Sequence, residues 1–352
     1  MLKYRYFGTF RFVLALLVMA QHYIANFSPV YLKETLGWLP MGSVAVLVFF
    51  VMSGFIIVEA VEQIYSRRPV DFLINRLLRI VPHFVIAVIL AILVHLAFFN
   101  GYGFRLWEAP LPSVSEVLSF KNLAANLFLL LPGADRFSTY QFLEIVWAVR
   151  VELAFYMVMF GSVIITKSLP GKFSISFVLL FMCVAITPLF LLSVIGKVPA
   201  MLGFLPFFVF GGALFYYVEG SRRALLLLAS AAFGIILYLI QDVNYLRLIQ
   251  TVGPGRHDIY LFFALLATFI VLSRADIPAL RVLDKKTGEV TYPLYLYHEV
   301  TLMIMLMATP KNSYASLILG VGVSIAFSIL MMAIVDQRVG QLRDRVRRFA
   351  LS

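Results

Sequence analysis

The chain has 352 residues, of which 62% are hydrophobic and only 13% are charged. A soluble domain has roughly 45–50% apolar and about 25% charged residues, so this composition excludes an ordinary soluble enzyme. With Cys183 as the only cysteine, it also excludes a module held by disulfides. The net charge of +11 comes from short basic runs between apolar segments, which indicate membrane topology rather than nucleic-acid binding. We therefore expect an all-α, polytopic integral membrane protein.

Apolar stretches of about 20 residues, the length that crosses a bilayer as a helix, predict about ten spans. Their approximate bounds are 10–27, 42–58, 80–99, 143–166, 174–195, 201–218, 224–241, 258–273, 291–308 and 314–335. An eleventh run, 123–131, is too short to cross, and we expect an interfacial or re-entrant segment there. The first 25 residues resemble a signal peptide but lack a small-residue cleavage site, so we expect a retained helix. The absence of linkers and repeats predicts a single domain over 1–352, with no appended soluble domain.

The distribution of basic residues predicts that both termini lie in the cytoplasm. With ten spans and a cytoplasmic N-terminus, 20 of the 29 lysines and arginines fall in cytoplasmic segments and 8 in outer loops, while Arg150 lies within a span. Counting 123–131 as a crossing would move the basic C-terminal tail outside. Because basic residues concentrate in cytoplasmic segments, the ten-span topology is favoured.

The first span carries two ionisable residues, Arg11 and, 11 residues later, His22. Such residues are costly inside a membrane and are functional candidates. At about 1.5 Å per residue, His22 lies about 16 Å deeper than Arg11, near the bilayer midplane. A neutral imidazole there can act as a general base. A packing histidine, hydrogen-bonded to a neighbouring helix, is an equally good interpretation of the sequence.

Glu152 lies in the fourth span, about 20 Å from its cytoplasmic end and close in depth to His22. A carboxylate at this depth can hold an imidazole in one tautomer and stabilise its protonated form. We therefore expect Glu152 to pair with His22. The alternative is that Glu152 neutralises Arg150 or an arginine on another helix.

Two arginines, Arg76 and Arg79, lie at the cytoplasmic mouth of the third span and share a helical face. Their forked donors suit phosphate oxygens. For this pair alone, a simple topology signal or a lipid head-group contact is the favoured interpretation. Three further polar residues are supporting candidates: Ser53, Tyr295 and His298. Ser53 precedes a glycine, which also permits close helix approach, and tyrosines also form interfacial belts.

Five motifs, taken together and in this order, resemble the membrane-bound acyltransferase 3 family. They are Arg-x10-His at Arg11 and His22, Phe-Phe-x-x-Ser-Gly ending at Gly54, Arg-x-x-Arg at Arg76 and Arg79, Trp-x-x-x-Val-Glu-x-x-Phe-Tyr from Trp147 to Tyr156, and Tyr-x-Leu-Tyr-Leu-x-His ending at His298. Each motif alone is weak, but the set covers nearly the whole chain.

The resemblance implies an enzyme that moves an acyl group, most often acetyl, from cytoplasmic acyl-CoA to a hydroxyl of a polysaccharide, lipid-linked sugar or other glycan. It implies that His22 is the essential histidine and Arg11 its helix partner. It also implies that Arg76 and Arg79 receive the donor's phosphates and that Glu152 is an active-site carboxylate.

The expected setting is the bacterial cytoplasmic membrane, in contact with lipid and with polysaccharide-biosynthesis proteins. We expect no metal ion and no permanently bound cofactor, since acetyl-CoA is a substrate. Direct transfer to the acceptor is preferred, although Ser53 or His22 could in principle carry the acyl group.

The chain departs from many members of that family at three positions. Gly8 stands where an acidic residue is common, Leu47 where a polar or acidic one is common, and Arg150 where a small uncharged one is common. These departures put the local charge pairing and the type of acceptor in question. Two other functions compete: a transporter of a sugar, lipid-linked glycan or small anion, and an assembly subunit without activity. Buried ionisable residues are equally expected of a transporter, but the chain has no inverted repeat.

Overall fold

The computed structural model describes residues 5–29, 31, 40–66, 68–98, 113–131, 133–168, 174–181, 203–241, 257–276 and 278–351. This described part of the chain is helical and contains no strand. Most of the predicted span 174–195, together with Cys183, lies outside the described residues.

We number eleven α-helices of the described part in chain order. They are α1 (Phe7–Phe27), α2 (Met41–Gln63), α3 (Pro69–Phe98), α4 (Val114–Val117), α5 (Phe120–Leu127), α6 (Val146–Ser168), α7 (Leu205–Val218), α8 (Ala224–Gln241), α9 (His257–Arg274), α10 (Arg281–Ala308) and α11 (Tyr314–Leu351). Within the described residues, five of them are long and apolar enough to cross a membrane: α1, α2, α3, α6 and α11. The bent pair α9 and α10 makes a sixth if it forms one broken span. The prediction of ten spans, and of cytoplasmic termini, stays a prediction.

Three helices extend well beyond the apolar segments that predicted them. Helix α3 begins at Pro69 rather than near 80, α10 begins at Arg281 rather than near 291, and α11 continues to Leu351 rather than ending near 335. Hydropathy marks the part of a helix that suits lipid, whereas backbone hydrogen bonding continues into the flanking polar residues. Arg76 and Arg79 consequently lie within α3. The short run 123–131 overlaps α5, which has only eight residues.

Helix α1 packs mainly against α10 and also against α2, while α2 packs against α7. The close approach that Ser53 and Gly54 predict is confirmed at the contact between α2 and α7. A Cβ atom on Gly54 would lie 1.9 Å from the carbonyl oxygen of Phe208, and one on Gly211 would lie 1.7 Å from that of Val51. Because no real side chain fits such gaps, the two backbones touch directly.

A second glycine contact sets the position of Arg11. A Cβ atom on Gly8 of α1 would lie 2.0 Å from the carbonyl oxygen of Asp284 in α10. One on Gly288 would lie 2.9 Å from the Cα of Gly8 and 3.2 Å from an Nη atom of Arg11. The N-terminal half of α1 is therefore packed closely on α10, and the guanidinium of Arg11 lies beside this contact. Helices α3 and α6 also pack on each other.

Candidate functional site

A cavity lies between α1, α2, α3, α6 and α10, and we call it the arginine cavity. Its lining is Arg11, Val46, Phe49, Phe50, Ser53, Ile56, Ile57, Arg76, Arg79, Ile80, Ala148, Val149, Glu152, Tyr156, Thr291, Tyr292 and Tyr295. Six of the residues that the sequence singles out therefore meet in one space: Arg11, Ser53, Arg76, Arg79, Glu152 and Tyr295.

Within the described part of the chain, the guanidinium groups in the arginine cavity have no direct anionic partners. The Nε atoms of Arg11 and Arg76 are buried and have no hydrogen-bond partner in the described part of the chain. None of the salt bridges within that part involves Arg11, Arg76 or Arg79. The Cζ atom of Arg76 lies 5.6 Å from the ring centre of Phe72 and 5.7 Å from that of Tyr156, so aromatic faces hold this cation. Buried donors without partners suit an anionic ligand.

Glu152 is the carboxylate of the arginine cavity. Its Oε1 atom accepts a hydrogen bond from the hydroxyl of Tyr156 at 2.6 Å, one turn further along α6. It also accepts one from the hydroxyl of Ser53 at 3.2 Å, across the interface with α2. Its negative charge interacts favourably with the charges of Arg11 and Arg76, although neither arginine is within ion-pair distance. Glu152 thus joins α2 to α6 and offsets part of the positive charge of the cavity.

A second cavity lies further along α1, and we call it the histidine cavity. Its lining is Val18, Gln21, His22, Gly42, Ser43, Val46, Thr139, Tyr140, Gln141, Glu144, Ile145, Trp147 and Tyr295. Amide, hydroxyl, carboxyl and imidazole groups contribute much of this wall. The side chain of Gln21 is fixed by accepting a hydrogen bond from the backbone N–H of Gly42 at 2.5 Å.

His22 lies beside a second histidine. The ring centres of His22 and His298 are 5.3 Å apart, with the ring planes at 43°. His298 is fully buried, and its Nδ1 atom donates to the carbonyl oxygen of Leu294 at 3.1 Å. Its Nε2 atom has no hydrogen-bond partner among the residues described. Because a carbonyl oxygen can only accept, a neutral His298 carries its proton on Nδ1 and leaves Nε2 as an acceptor.

The two cavities share two lining residues, Val46 of α2 and Tyr295 of α10. The hydroxyl of Tyr295 donates to the carbonyl oxygen of Ile145 at 2.9 Å, which fixes this buried ring between them. We call this pair the neck.

Glu299, which the sequence analysis missed, holds the segment before α6 in place. Its side chain is buried, and its two carboxylate oxygens accept from the backbone N–H groups of Glu144 at 2.9 Å and of Ile145 at 3.4 Å. A carboxylate at a helix N-terminus satisfies donors that the helix itself leaves unpaired. The signal was present in the sequence, because an acidic residue directly after His298 falls within the predicted span 291–308.

The structure does not bring Glu152 to His22 as the sequence suggested. The hydrogen bonds of Glu152 run to Ser53 and Tyr156, and the ring beside His22 is that of His298. Similar depth in a bilayer does not decide which helix faces which. Helix α1 packs mainly on α10, whereas α6 packs on α2 and α3. The two residues therefore line different cavities, with the neck between them.

The structure also accounts for Gly8. The backbone N–H of Thr9 donates to Asp284 at 2.6 Å, and Asp284 interacts favourably with the charge of Arg11. An acidic group thus stands near Arg11, but it comes from α10, and only a glycine at position 8 leaves room for that chain. Leu47 is buried in the apolar core, and Arg150 is buried within α6.

Comparison with known proteins supports the family resemblance. The family model of an acyltransferase domain, that of the acyltransferase 3 family, matches residues 4–334. No curated protein and no solved structure matches the chain. A match over nearly all of the 352 residues shows the family, and the long apolar helices agree with its membrane location. The chain is a multi-pass membrane acyltransferase that belongs to the acyltransferase 3 family.

Proposed function

We propose that the protein transfers an acetyl group from acetyl-CoA to a hydroxyl of a glycan or lipid-linked sugar at the membrane. The observation that carries the proposal is the pair of neighbouring cavities, one lined by three arginines and one lined by His22, that share Val46 and Tyr295 in their walls. A transferase needs two substrates to approach each other from separate sites, and two cavities that adjoin at the neck provide such an arrangement.

The arginine cavity suits the acyl donor. Coenzyme A has an anionic nucleotide end and a long, thin pantetheine arm. Three arginines without ion-pair partners in the described part of the chain, Arg11, Arg76 and Arg79, can attract its phosphates. The apolar wall beyond them can hold the arm, with the thioester towards the neck. The basic bias of the predicted cytoplasmic segments supports entry of the donor from the cytoplasm.

The histidine cavity suits the acceptor. Gln21, Ser43, Gln141 and Glu144 offer the donors and acceptors that sugar hydroxyls require. This cavity lies at the end of α1 that the predicted topology places outside. A glycan made for export would therefore reach His22 from the extracytoplasmic side of the membrane.

The chemistry follows from the position of His22. Its imidazole takes the proton of the acceptor hydroxyl as that oxygen attacks the thioester carbonyl carbon. A new C–O bond forms, the tetrahedral intermediate collapses, and the C–S bond breaks. The thiolate of coenzyme A then receives the proton from the imidazolium, so the enzyme is regenerated. Direct transfer of this kind needs no metal ion and no acyl-enzyme.

We infer that Glu152 acts on the donor side of the reaction. It holds the hydroxyls of Ser53 and Tyr156 in the wall of the arginine cavity. It also limits the repulsion among the arginines when the donor is absent. In this proposal, the role of orienting His22 passes to His298.

The test is an assay of the purified protein in lipid nanodiscs with radiolabelled acetyl-CoA and candidate glycans. We expect release of free coenzyme A and labelling of an acceptor, both lost in His22→Ala. Since His22 lies outside the arginine cavity, this variant should bind coenzyme A as the unaltered protein does, which controls for folding. Retained transfer in His22→Ala would remove the general base from the proposal.

The acceptor can be identified by experiments in whole cells. We propose a bacterial cytoplasmic membrane location, next to polysaccharide-biosynthesis proteins. Deleting the protein should remove acetyl esters from one envelope glycan, and restoring it should return them. If instead a sugar or anion fails to cross the membrane and no ester is lost, a transport function replaces this one.

A further inference from the structure

Helix α11 extends past the part of the chain that matches the family. The match ends at residue 334, whereas α11 continues to Leu351. This extension contains five arginines: Arg338, Arg343, Arg345, Arg347 and Arg348. In the sequence these five arginines look like a topology signal, but in the structure Arg343 differs from the others because it lies against α3.

Two contacts fix the extension against α3. His83 of α3 lies 3.3 Å from the carboxylate of Asp336, and the side-chain amide of Asn75 donates to the carbonyl oxygen of Arg343 at 3.2 Å. Asn75 and His83 are about 12 Å apart along α3, and Asp336 and Arg343 about 10.5 Å apart along α11. The two helices therefore run side by side in opposite directions over this length.

This register places Arg343 at the level of the arginine pair of α3. Asn75, which binds the backbone of Arg343, directly precedes Arg76, and Arg79 lies one turn further along. Burial and the charges of Arg79 and Arg76 oppose the charge of Arg343, whereas the carboxylates of Asp336 and Asp344 favour it, so Arg343 is near both arginines and both carboxylates. Arg343 is not part of the cavity lining, but its backbone is bound beside Arg76, which is, so we place Arg343 next to the arginine cavity rather than inside it.

Within the described residues, no direct contact of its side chain explains the position of Arg343. Its Nε atom is buried without a hydrogen-bond partner, and no salt bridge involves it within the described residues. A buried, unpaired guanidinium donor near two other arginines is unfavourable unless an anion binds there. Arg345, two residues further along the same helix, is exposed.

We propose that Arg343 completes a phosphate-binding site with Arg76 and Arg79, and that it binds the 3′-phosphate of the coenzyme A donor. The inference rests on the proposed function and deepens it. The thioester end of the donor must reach the neck, so the nucleotide end remains beside the α3 arginines. The 3′-phosphate is the phosphate group furthest from the thiol along that molecule. The C-terminal extension of α11 is then part of the donor site.

The experiment measures binding of coenzyme A and of 3′-dephospho-coenzyme A to the full-length protein in zwitterionic nanodiscs. The unaltered protein should bind coenzyme A about tenfold more tightly than the dephosphorylated form, as expected for one charge-assisted contact. Arg343→Gln should remove this difference and leave binding of the dephosphorylated form unchanged. The matched control is Arg345→Gln, which removes the same charge from the exposed side of the helix and should preserve the preference.

Each alternative result of this experiment would overturn one part of the proposal. Equal weakening of both ligands by Arg343→Gln would place Arg343 at the diphosphate, and an unchanged preference would leave it with no role in donor binding. A lipid phosphate presents the same chemistry, so the comparison is repeated in phosphatidylglycerol nanodiscs. If Arg343→Gln reduces binding of that lipid while coenzyme A binding is unaffected, the occupant is a lipid. Failure of the unaltered protein to bind coenzyme A at all would instead refute the proposed function.

Discussion

The imidazole rings of His22 on α1 and His298 on α10 lie with their centres 5.3 Å apart. His298 has its proton fixed on Nδ1 by the carbonyl of Leu294, so its Nε2 atom is an unpaired acceptor in the described structure. At this spacing, a hydrogen bond, direct or through one water, can join the rings. His22 would then donate from one ring nitrogen and keep the other free to take a proton. This is the positioning role that the sequence had assigned to Glu152.

Replacing His298 should therefore affect turnover rather than donor binding. We expect His298→Ala to lower kcat by about 10- to 100-fold, less than the roughly 10²- to 10⁴-fold that general acid–base catalysis contributes, because His298 only positions the base, and we expect little change in KM for acetyl-CoA. Added imidazole should restore part of the rate by occupying the vacated space. Steady-state kinetics in nanodiscs check both effects. A parallel loss of donor binding and melting temperature, without rescue, would indicate that His298 only supports the fold.

Enlarging the neck should change the choice of acyl chain. Val46→Ala removes two methyl groups where the cavities meet, so longer acyl groups should pass more easily. We expect the ratio of kcat/KM for butyryl-CoA over acetyl-CoA to rise about tenfold, since each methylene in a tight site contributes about 1–3 kcal/mol to discrimination. The control is Val44→Ala, which makes the same change at a buried residue of α2 outside both linings. An equal rise in both variants would show that loosening α2 alone is responsible.

Removing the charge of Glu152 should strengthen anion binding in the arginine cavity. Glu152→Gln keeps the shape of the side chain but removes a negative charge that interacts with Arg11 and Arg76. We expect coenzyme A to bind several-fold more tightly, as judged by calorimetry, because less negative charge opposes its phosphates. Tyr156→Phe keeps that charge while losing the hydrogen bond to Glu152, and should leave the affinity nearly unchanged. Unaltered affinity with a collapse of kcat would instead favour a direct action of Glu152 on His22.

Stability should depend sharply on which glycine is replaced. In Gly54→Ala or Gly211→Ala, the new methyl group would overlap a backbone carbonyl of the facing helix, and we expect a loss of about 1–3 kcal/mol or more. In Gly161→Ala on α6, the new methyl group meets open space, so stability should be unchanged or raised. Thermal unfolding in detergent measures the difference. Similar melting temperatures for the three variants would contradict the direct contact between α2 and α7.

Glu299 should control the order of the segment that lines the histidine cavity. Glu299→Gln keeps only one acceptor oxygen for the N–H groups of Glu144 and Ile145, and a buried donor left unpaired costs about 1–3 kcal/mol. Hydrogen exchange at these two residues should become faster, and KM for the acceptor should rise while donor affinity is retained. Glu289→Gln removes a charge from an exposed position of α10 and serves as the control. Unchanged exchange at Glu144 would argue against the cap.

Apolar patterning predicted where the helices lie but not their full length. The regions of α1, α2, α6 and the apolar part of α3 were found because lipid-facing and core-facing residues are both hydrophobic. The polar starts of α3 and α10 and the end of α11 were missed, since hydropathy does not measure backbone hydrogen bonding. The full set of ten spans remains a prediction.

The candidate site was predicted as a list of residues and not as an arrangement. Rare ionisable residues within apolar segments identified Arg11, His22 and Glu152, because burying such groups is costly without a purpose. The arginines of α3 were singled out by their spacing and by the family resemblance, since they precede the apolar segment. Glu299 belongs to the same class of residue as the first three but was not among the predicted site residues. The same reasoning also could not separate Arg343 from the other basic residues of the C-terminal segment, since a charge next to a span normally marks topology.

The sequence by itself determined that the chain is a membrane protein, which polar residues lie within its spans, and which family it belongs to. Each of these depends on residue type and spacing along one chain. Only the tertiary structure decided that His22 lies beside His298 rather than Glu152, that two cavities share Val46 and Tyr295 in their walls, and that the backbone of Arg343 is bound beside the arginines of α3. These are relations between helices, and they are set by which faces pack. Glycine contacts such as Gly8 on Asp284 determine those faces, and one-dimensional periodicity does not encode them.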